Sequence, residues 1–393
     1  MSARGDFIIR KGNLSRYKGP GGEVVIPEDV TSIGDEAFKD CTSITSITIP
    51  KGVTNIGENA FSGCRLLTIT IPDSVTSIGK NAFSGCRSLT SITIPDSVTS
   101  IGGWAFENCS ALTSITIPES VTSIGPYAFR GCRSLTSITF PEHIADVDSL
   151  GLESCKSLAG ADGHIIVHDI YITYCGTDSH VMVPDGVTSI GNWAFKDFSS
   201  LTSVTIPDSV TSIGYAAFLG CSSLTSITIP DSVTSIWGYA FSDCSLLTSI
   251  TIPDGVTSIG YYAFNGCSSL TSIAIPGNVT RIGERTFCGC SSLTSVTLPE
   301  SVTSIECRAF SNCTALPEVT FPDGMVNIGQ EAFYACTALT GVTFPESVQL
   351  IECRAFSGCS ALSKIALSDG LISIRKEAFL NCSSLTHVVI PPG

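Results

Sequence analysis

Eighteen cysteines and five histidines are the residues of this 393-residue sequence best equipped for chemistry. Thiolates and imidazoles at suitable spacing hold zinc, and an activated thiol is a nucleophile. In a small secreted chain, many cysteines also read as a disulfide framework. Fourteen of these cysteines, from Cys41 to Cys382, instead recur once in every 23 residues, and Phe198 stands where a fifteenth would be. One ligand per recurrence does not assemble the four that structural zinc needs. A place that accepts phenylalanine is a packing place, so these thiols are expected to form a buried column of small apolar side chains. The other four are Cys175, Cys288, Cys307 and Cys353. The last two sit in a twice-repeated Glu-Cys-Arg-Ala-Phe. They are either exposed and reactive or chance substitutions at a tolerant place, the second being favoured.

His164, His168 and His180 cluster in sequence with Asp169, Cys175 and Asp178. On one strand, residues 164 and 168 would stand roughly 13 Å apart, too far to share a metal unless the chain folds back. The sequence contains no phosphate loop, nucleophile elbow or His-Glu zinc motif. No catalytic residue, metal or cofactor is expected, and the chain is not read as an enzyme.

The elements that position these residues are internal repeats. A proline closes each apolar alternation at Pro27, Pro50, Pro72, Pro95, Pro118 and Pro141, and again at eight places from Pro184 to Pro345. Ser368 takes the next place and Pro391 closes the chain. The step is 23 residues, except that one residue is missing before Pro72 and twenty are added before Pro184. Counting from the proline as slot 1, the fifteen units share P-D-S-V-T-S-I-G-x-x-A-F-s-g-C-s-S-L-T-S-I-T-I. Slots 4, 7, 11, 12, 15, 18, 21 and 23 are apolar. Slots 18 to 23 should form a strand with slots 21 and 23 inward, such as Ile92 and Ile94. Proline ends it in a type I turn. Slots 4 to 7 give a second, short extended piece. Glycine in slot 8 suits a sharp corner, and slots 9 to 15 suit one turn of helix. Stacked at strand spacing, fifteen coils would reach on the order of 70 Å.

The pattern L-x-x-I-x-I-P-x-x-V-x-x-I-G-x-x-A-F-x-x-C resembles the BspA-type leucine-rich repeat, also called the Treponema pallidum type, over nearly the whole chain. The resemblance implies a right-handed repeat solenoid with a parallel β-sheet on one face. It also implies surface proteins of bacteria or protozoa that adhere to host proteins or other microbes, and it carries over no catalytic residue.

The twenty extra residues have a counterpart. His164 to Gly176 aligns without a gap to Phe7 to Gly19, matching Ile8 with Ile165, Ile9 with Ile166 and Tyr17 with Tyr174. Each is read as a β-hairpin leading into repeats, the first capping an open end. The expected organisation is a cap at 1–26, six repeats at 27–161, an inserted hairpin at 162–183 and nine repeats at 184–393. One continuous solenoid is favoured over two independent domains.

Net charge is −14 and the isoelectric point about 4.7, which disfavours nucleic acid and anionic lipid as partners. No apolar run is long enough to span a membrane. The opening Met1-Ser-Ala-Arg-Gly-Asp does not read as a secretory signal, so a cytoplasmic location stays open beside the surface or secreted one that the resemblance implies. Slot 2 is acidic in thirteen of the fifteen units. Turn chemistry and solubility explain this better than calcium, since one carboxylate per coil is a poor cage.

Variable slots should be the exposed ones. Slots 9 and 10 hold Trp104, Tyr127, Trp193, Tyr215, Tyr239, Tyr261 and Tyr262, with Trp237 beside them in slot 8. Further on, the same slots become Arg285, Arg308 and Arg354. Exposed aromatics mark contacts with protein or sugar, although rings that stack on one another could equally stiffen the corner. Slots 20 and 22, outward on the strand, are mostly Ser and Thr and vary only late, at Glu318, Lys364 and His387. A flat ice-binding face is disfavoured there, because the pair is Ser-x-Thr and the face is curved. The expected function is an adhesin-like binding module for a protein or glycan. The alternatives are an intracellular scaffold for partner proteins, or a structural spacer of a larger surface protein.

Overall fold

The computed structural model describes residues 4–64, 68–144 and 146–389, so Pro391 lies outside the described residues. The chain divides into two compact units, Met1–His168 and Asp169–Gly393. The cut falls inside the segment expected as an inserted hairpin.

Each unit is a pile of parallel coils. In the first, the strands of slots 6 and 7 form one ladder that starts with the antiparallel pair Phe7–Arg10 and Asn13–Tyr17 and continues through Ser32–Ile33, Asn55–Ile56, Ser77–Ile78, Ser100–Ile101 and Ser123–Ile124. In the second, Ile170–Tyr174 leads into Ser189–Ile190, Ser212–Ile213, Ser235–Ile236 and Ser258–Ile259, with a further run from Arg281–Ile282 to Ser373–Ile374. Partners keep strict register, as in Ser212↔Ser235 and Ile213↔Ile236. A one-residue slip would turn the isoleucine column out to water.

The coil from Pro230 shows why the repeat has this sequence. Val233 N–H bonds to the Pro230 carbonyl at 3.0 Å, closing the expected turn. The strand of slots 18 to 23 shortens to three residues, Ser249–Thr251. The Leu247 amide is drawn back to the Cys244 carbonyl at 3.1 Å and leaves the extended conformation.

The helical turn of slots 9 to 15 is replaced by successive tight turns. Tyr239 in slot 10 and Asp243 in slot 14 have φ of 58° and 61°, in the left-handed region. That geometry turns alternate N–H groups toward the next coil: Tyr239, Phe241 and Asp243 donate to Tyr261, Ala263 and Asn265. A helix would satisfy its amides internally and lose this ladder.

Glycine in slot 8 also has a different cause from the one expected. These glycines are not among the residues with positive φ. A Cβ on Gly260 would stand 2.2 Å from the Gly238 nitrogen, so the requirement is close approach of consecutive coils.

The core sits where the pattern places it. In the coil from Pro95, Val98, Ile101, Ala105, Phe106, Cys109 and Leu112 are buried, and Ile92 and Ile94 of the strand before it are 6% and 5% exposed. Hydroxyls clamp the coils at the rim. Slot 3 serines donate to the slot 4 carbonyl of the preceding coil, as Ser232 does to Val210 at 2.6 Å, and slot 19 threonines donate to their own counterparts, as Thr248 does to Thr225 at 3.3 Å. The abundance of Ser and Thr is therefore structural.

At the start of the first unit, Leu14 is buried and Tyr17 packs tilted against Phe38 with centroids 5.2 Å apart. In the second unit Tyr171, the aligned partner of Leu14, covers Phe195 at 5.1 Å, and Tyr174 lies on Phe198 at 5.9 Å. Phe198 replaces cysteine because a ring lies above it.

Candidate functional site

The thiol column is buried and hydrogen-bonded. From Cys64 onward the slot 15 thiols donate to the slot 12 phenylalanine carbonyl of the coil before, for example Cys244 Sγ to Phe218 O at 3.2 Å and Cys336 Sγ to Phe310 O at 3.1 Å. Burial pushes the thiols up, Cys64, Cys221 and Cys336 to about 12. Such groups stay protonated at neutral pH and are poor nucleophiles. The four cysteines outside the column are half-buried. Burial raises Cys288 and Cys307 as well, against a lowering pull from neighbouring arginines. At both, burial outweighs the arginines, so neither thiol is activated.

The histidines engage separate partners. His168 Nδ1 lies 3.1 Å from the Ile144 carbonyl in the first unit. In the second, His180 Nδ1 lies 2.6 Å from Ser203 Oγ, and the Tyr174 hydroxyl donates to Asp178. Among the described residues no group of three or more His, Cys, Asp or Glu could hold a metal ion.

The aromatic residues of slots 8 to 10 occupy the corner where two left-handed turns meet. In the first unit Trp104 and Tyr127 lie 5.6 Å apart, flanked by Lys80 over Trp104 at 5.3 Å and Arg130 over Tyr127 at 5.8 Å. In the second unit Trp193 meets Tyr215 edge-on at 5.8 Å, and Tyr215 meets Tyr239 at 5.5 Å. Tyr239 stacks on Tyr262 at 4.5 Å, with Tyr261 edge-on to Tyr239 at 5.5 Å. The rings thus contact one another along the edge, and six of the eight residues are half-buried. Trp237 and Tyr261 differ, at 58% and 50% exposed.

Three features were hidden from sequence reasoning. Slot 10 is left-handed in Trp104, Tyr127, Trp193, Tyr239 and Tyr262, a conformation that costs a non-glycine residue on the order of 1 kcal/mol. Slot 14 is left-handed too, and there the chain uses mainly Gly, Asn and Asp. The absence of glycine from slot 10 was the available signal. Second are the partners of the arginines that follow in these slots: Arg285 lies over the Tyr262 ring at 5.1 Å and donates to its hydroxyl at 2.6 Å. Beyond it, Arg308 pairs with Glu331 and Arg354 with Glu377, each at 2.5 Å. Their guanidinium groups hold Glu331 and Glu377 below the usual carboxylate range. Third, the late variation on the strand face makes a groove of 760 Å³, with Glu318, Gly341 and Lys364 among its walls.

Among the described residues no helix is long and apolar enough to cross a membrane. No curated protein matches the chain. Its fold is similar to a leucine-rich repeat protein of Eubacterium ventriosum, at 25% identity and a TM-score of 0.51 over 84% of this chain and 91% of that one. The pneumococcal vaccine antigen PcpA is similar at 20% identity and 0.50, over 97% and 94%. A leucine-rich repeat protein of Bacteroides ovatus is 29% identical over 98% and 94%, at 0.40. The model of the BspA type leucine rich repeat region, in six copies, matches residues 20–110, 54–171, 164–294 and 280–393. With nearly all of its length matched, the chain belongs to the BspA-type leucine-rich repeat family.

Proposed function

We propose that this protein is a non-catalytic, adhesin-like binding module that takes up a protein or glycan through its aromatic edge, with the strand face as a second surface. The observation that carries the reading is slot 10, where large aromatic side chains are kept in a backbone conformation that glycine would adopt more cheaply. Beside them, Trp237 and Tyr261 leave half or more of their surface in water. Water-exposed rings on a rigid frame are good anchors, because little conformational entropy is lost when they are covered. On this reading the hairpin at 7–17 caps the first coil, and the protein works at a cell surface, as the description of PcpA as a vaccine antigen suggests.

The test is a binding screen against extracellular-matrix proteins and glycans, with a Trp237→Ala, Tyr261→Ala double variant beside the wild type. Loss of binding by the folded variant supports the edge as the site. Equal binding by both moves the site to the strand face, and failure of both to bind anything favours a structural spacer.

A further inference from the structure

Where the tyrosine column gives way to arginine, the second unit has a groove of 370 Å³ whose lining holds three guanidinium groups, Arg285, Arg308 and Arg354, and one carboxylate, Glu331. This is a local excess of positive charge on a chain whose net charge is −14. Glu331 is 7% exposed and already neutralised by Arg308. Each guanidinium uses one N–H within the chain: Arg285 on the Tyr262 hydroxyl, Arg308 on Glu331, Arg354 on Glu377. Five donors in a fixed fork leave the remaining N–H groups for an outside acceptor. Arg285 adds a sharper sign, because its Nε is buried and has no hydrogen-bond partner among the described residues. A buried donor of a charged group left unsatisfied is costly, and a bound anion near it would relieve that cost.

We propose that this groove binds an acidic oligosaccharide, one carrying carboxylate or sulfate groups along its length, a refinement that rests on the binding role proposed above. Carboxylate and sulfate both present paired oxygens that match the guanidinium forks of Arg285, Arg308 and Arg354. Tyr261, next along the column and 50% exposed, offers a ring face for the apolar side of a sugar ring. Asn312 and Tyr334, both exposed, line the same groove and can reach sugar hydroxyls. The register also fits. Consecutive coils rise by roughly 4.8 Å, about the advance of one sugar in an extended chain. Arg308 and Arg354 lie two coils apart, so a charge on every second sugar meets one guanidinium and then the next.

The experiment is titration calorimetry of the full chain at physiological ionic strength with three probes: a heparin octasaccharide, a hyaluronan octasaccharide and neutral cellohexaose. The variants are an Arg285→Gln, Arg354→Gln double substitution, an Arg308→Gln, Glu331→Gln pair that avoids stranding the buried carboxylate, and Arg133→Gln as an exposed charge control elsewhere. Thermal unfolding confirms that each is folded. The expected result is binding of an acidic probe but not of cellohexaose, weakened about tenfold or more by each groove variant and unchanged by Arg133→Gln. Binding of heparin alone assigns sulfate; binding of hyaluronan as well assigns carboxylate. Absence of binding to both acidic probes overturns the proposal, as does equal weakening by Arg133→Gln. If a ligand from the screen still depends on Trp237 and Tyr261 in that case, the binding role stands without this groove.

Discussion

Two aromatic columns run through the second unit only a few residues apart in each coil, and they behave differently. The inner one, slot 12, is phenylalanine throughout, with rings near parallel: Phe218 and Phe241 lie 5.2 Å apart at 2°. The outer one, slots 8 to 10, mixes tryptophan, tyrosine and arginine, and its rings meet at angles such as 65° for Tyr215 and Tyr239 and 85° for Tyr239 and Tyr261. Both inherit the spacing of the coils. Inside, each ring is fixed by its copy above and below and by the thiol column, so large apolar residues alone fit: phenylalanine throughout this unit and, once in the first, the buried Leu152. Outside, only one flank is constrained and the sequence is free to vary. Constancy in a repeat therefore reports packing, and variation at a fixed geometry reports a surface released from it.

The largest test of that contrast uses pH, because the inner structure includes the column of buried thiols. When the chain unfolds, its thiols ionise near their ordinary 9.0, whereas Cys64, Cys221 and Cys336 keep their protons up to about 12 when folded. Above 9 the folded state thus binds more protons than the unfolded one. Stability is intact below that pH and falls as pH rises toward 12, by about 1.4 kcal/mol per pH unit for each such thiol. Urea unfolding followed between pH 7 and 12 should show a steep alkaline loss, made shallower by Cys221→Ala. A flat profile, or the same slope in the variant, would break the claim that the column is dry.

Next in size is deletion of one inner ring. Phe241→Ala removes a fully buried side chain that touches two neighbours in its column, and should cost about 3–5 kcal/mol. Tyr239→Ala, two residues away in the same coil, removes a half-buried ring and leaves the left-handed backbone with a side chain that still carries a Cβ. Its cost should stay near 1 kcal/mol, the scale of a ring pair at a partly exposed site. Equal costs in denaturant titrations would mean that the outer column is structural after all.

Much of this was legible in the sequence. The 23-residue period, the inward slots and the thiol column follow from which residues never change, since each coil reads its neighbour. The failures share one cause. Glycine in slot 8, the replaced helical turn and the clamping hydroxyls all serve contacts between coils, and single-repeat propensities carry no information about the coil next door. Phe198 shows the same limit: only Tyr174 above it explains why cysteine was abandoned there. The aromatic edge was visible as a list of residues, but its division into half-buried stackers and two exposed rings was not. That division depends on where each ring tilts.

The smallest expected effect on stability separates those two groups. Trp237 and Tyr261 are the most exposed of the eight edge aromatics, so replacing both by alanine should shift the unfolding free energy by no more than about 0.5 kcal/mol each, the range of surface substitutions. Tyr261 does contact Tyr239 edge-on, which sets the upper end of that range. A site that contributes this little to folding can be varied without loss of the frame. If the double variant unfolds with the wild type yet loses its ligand, the outer column is a binding surface carried by the inner one. If it loses several kilocalories, the two exposed rings are part of the frame, and the distinction between the columns fails where it should be clearest.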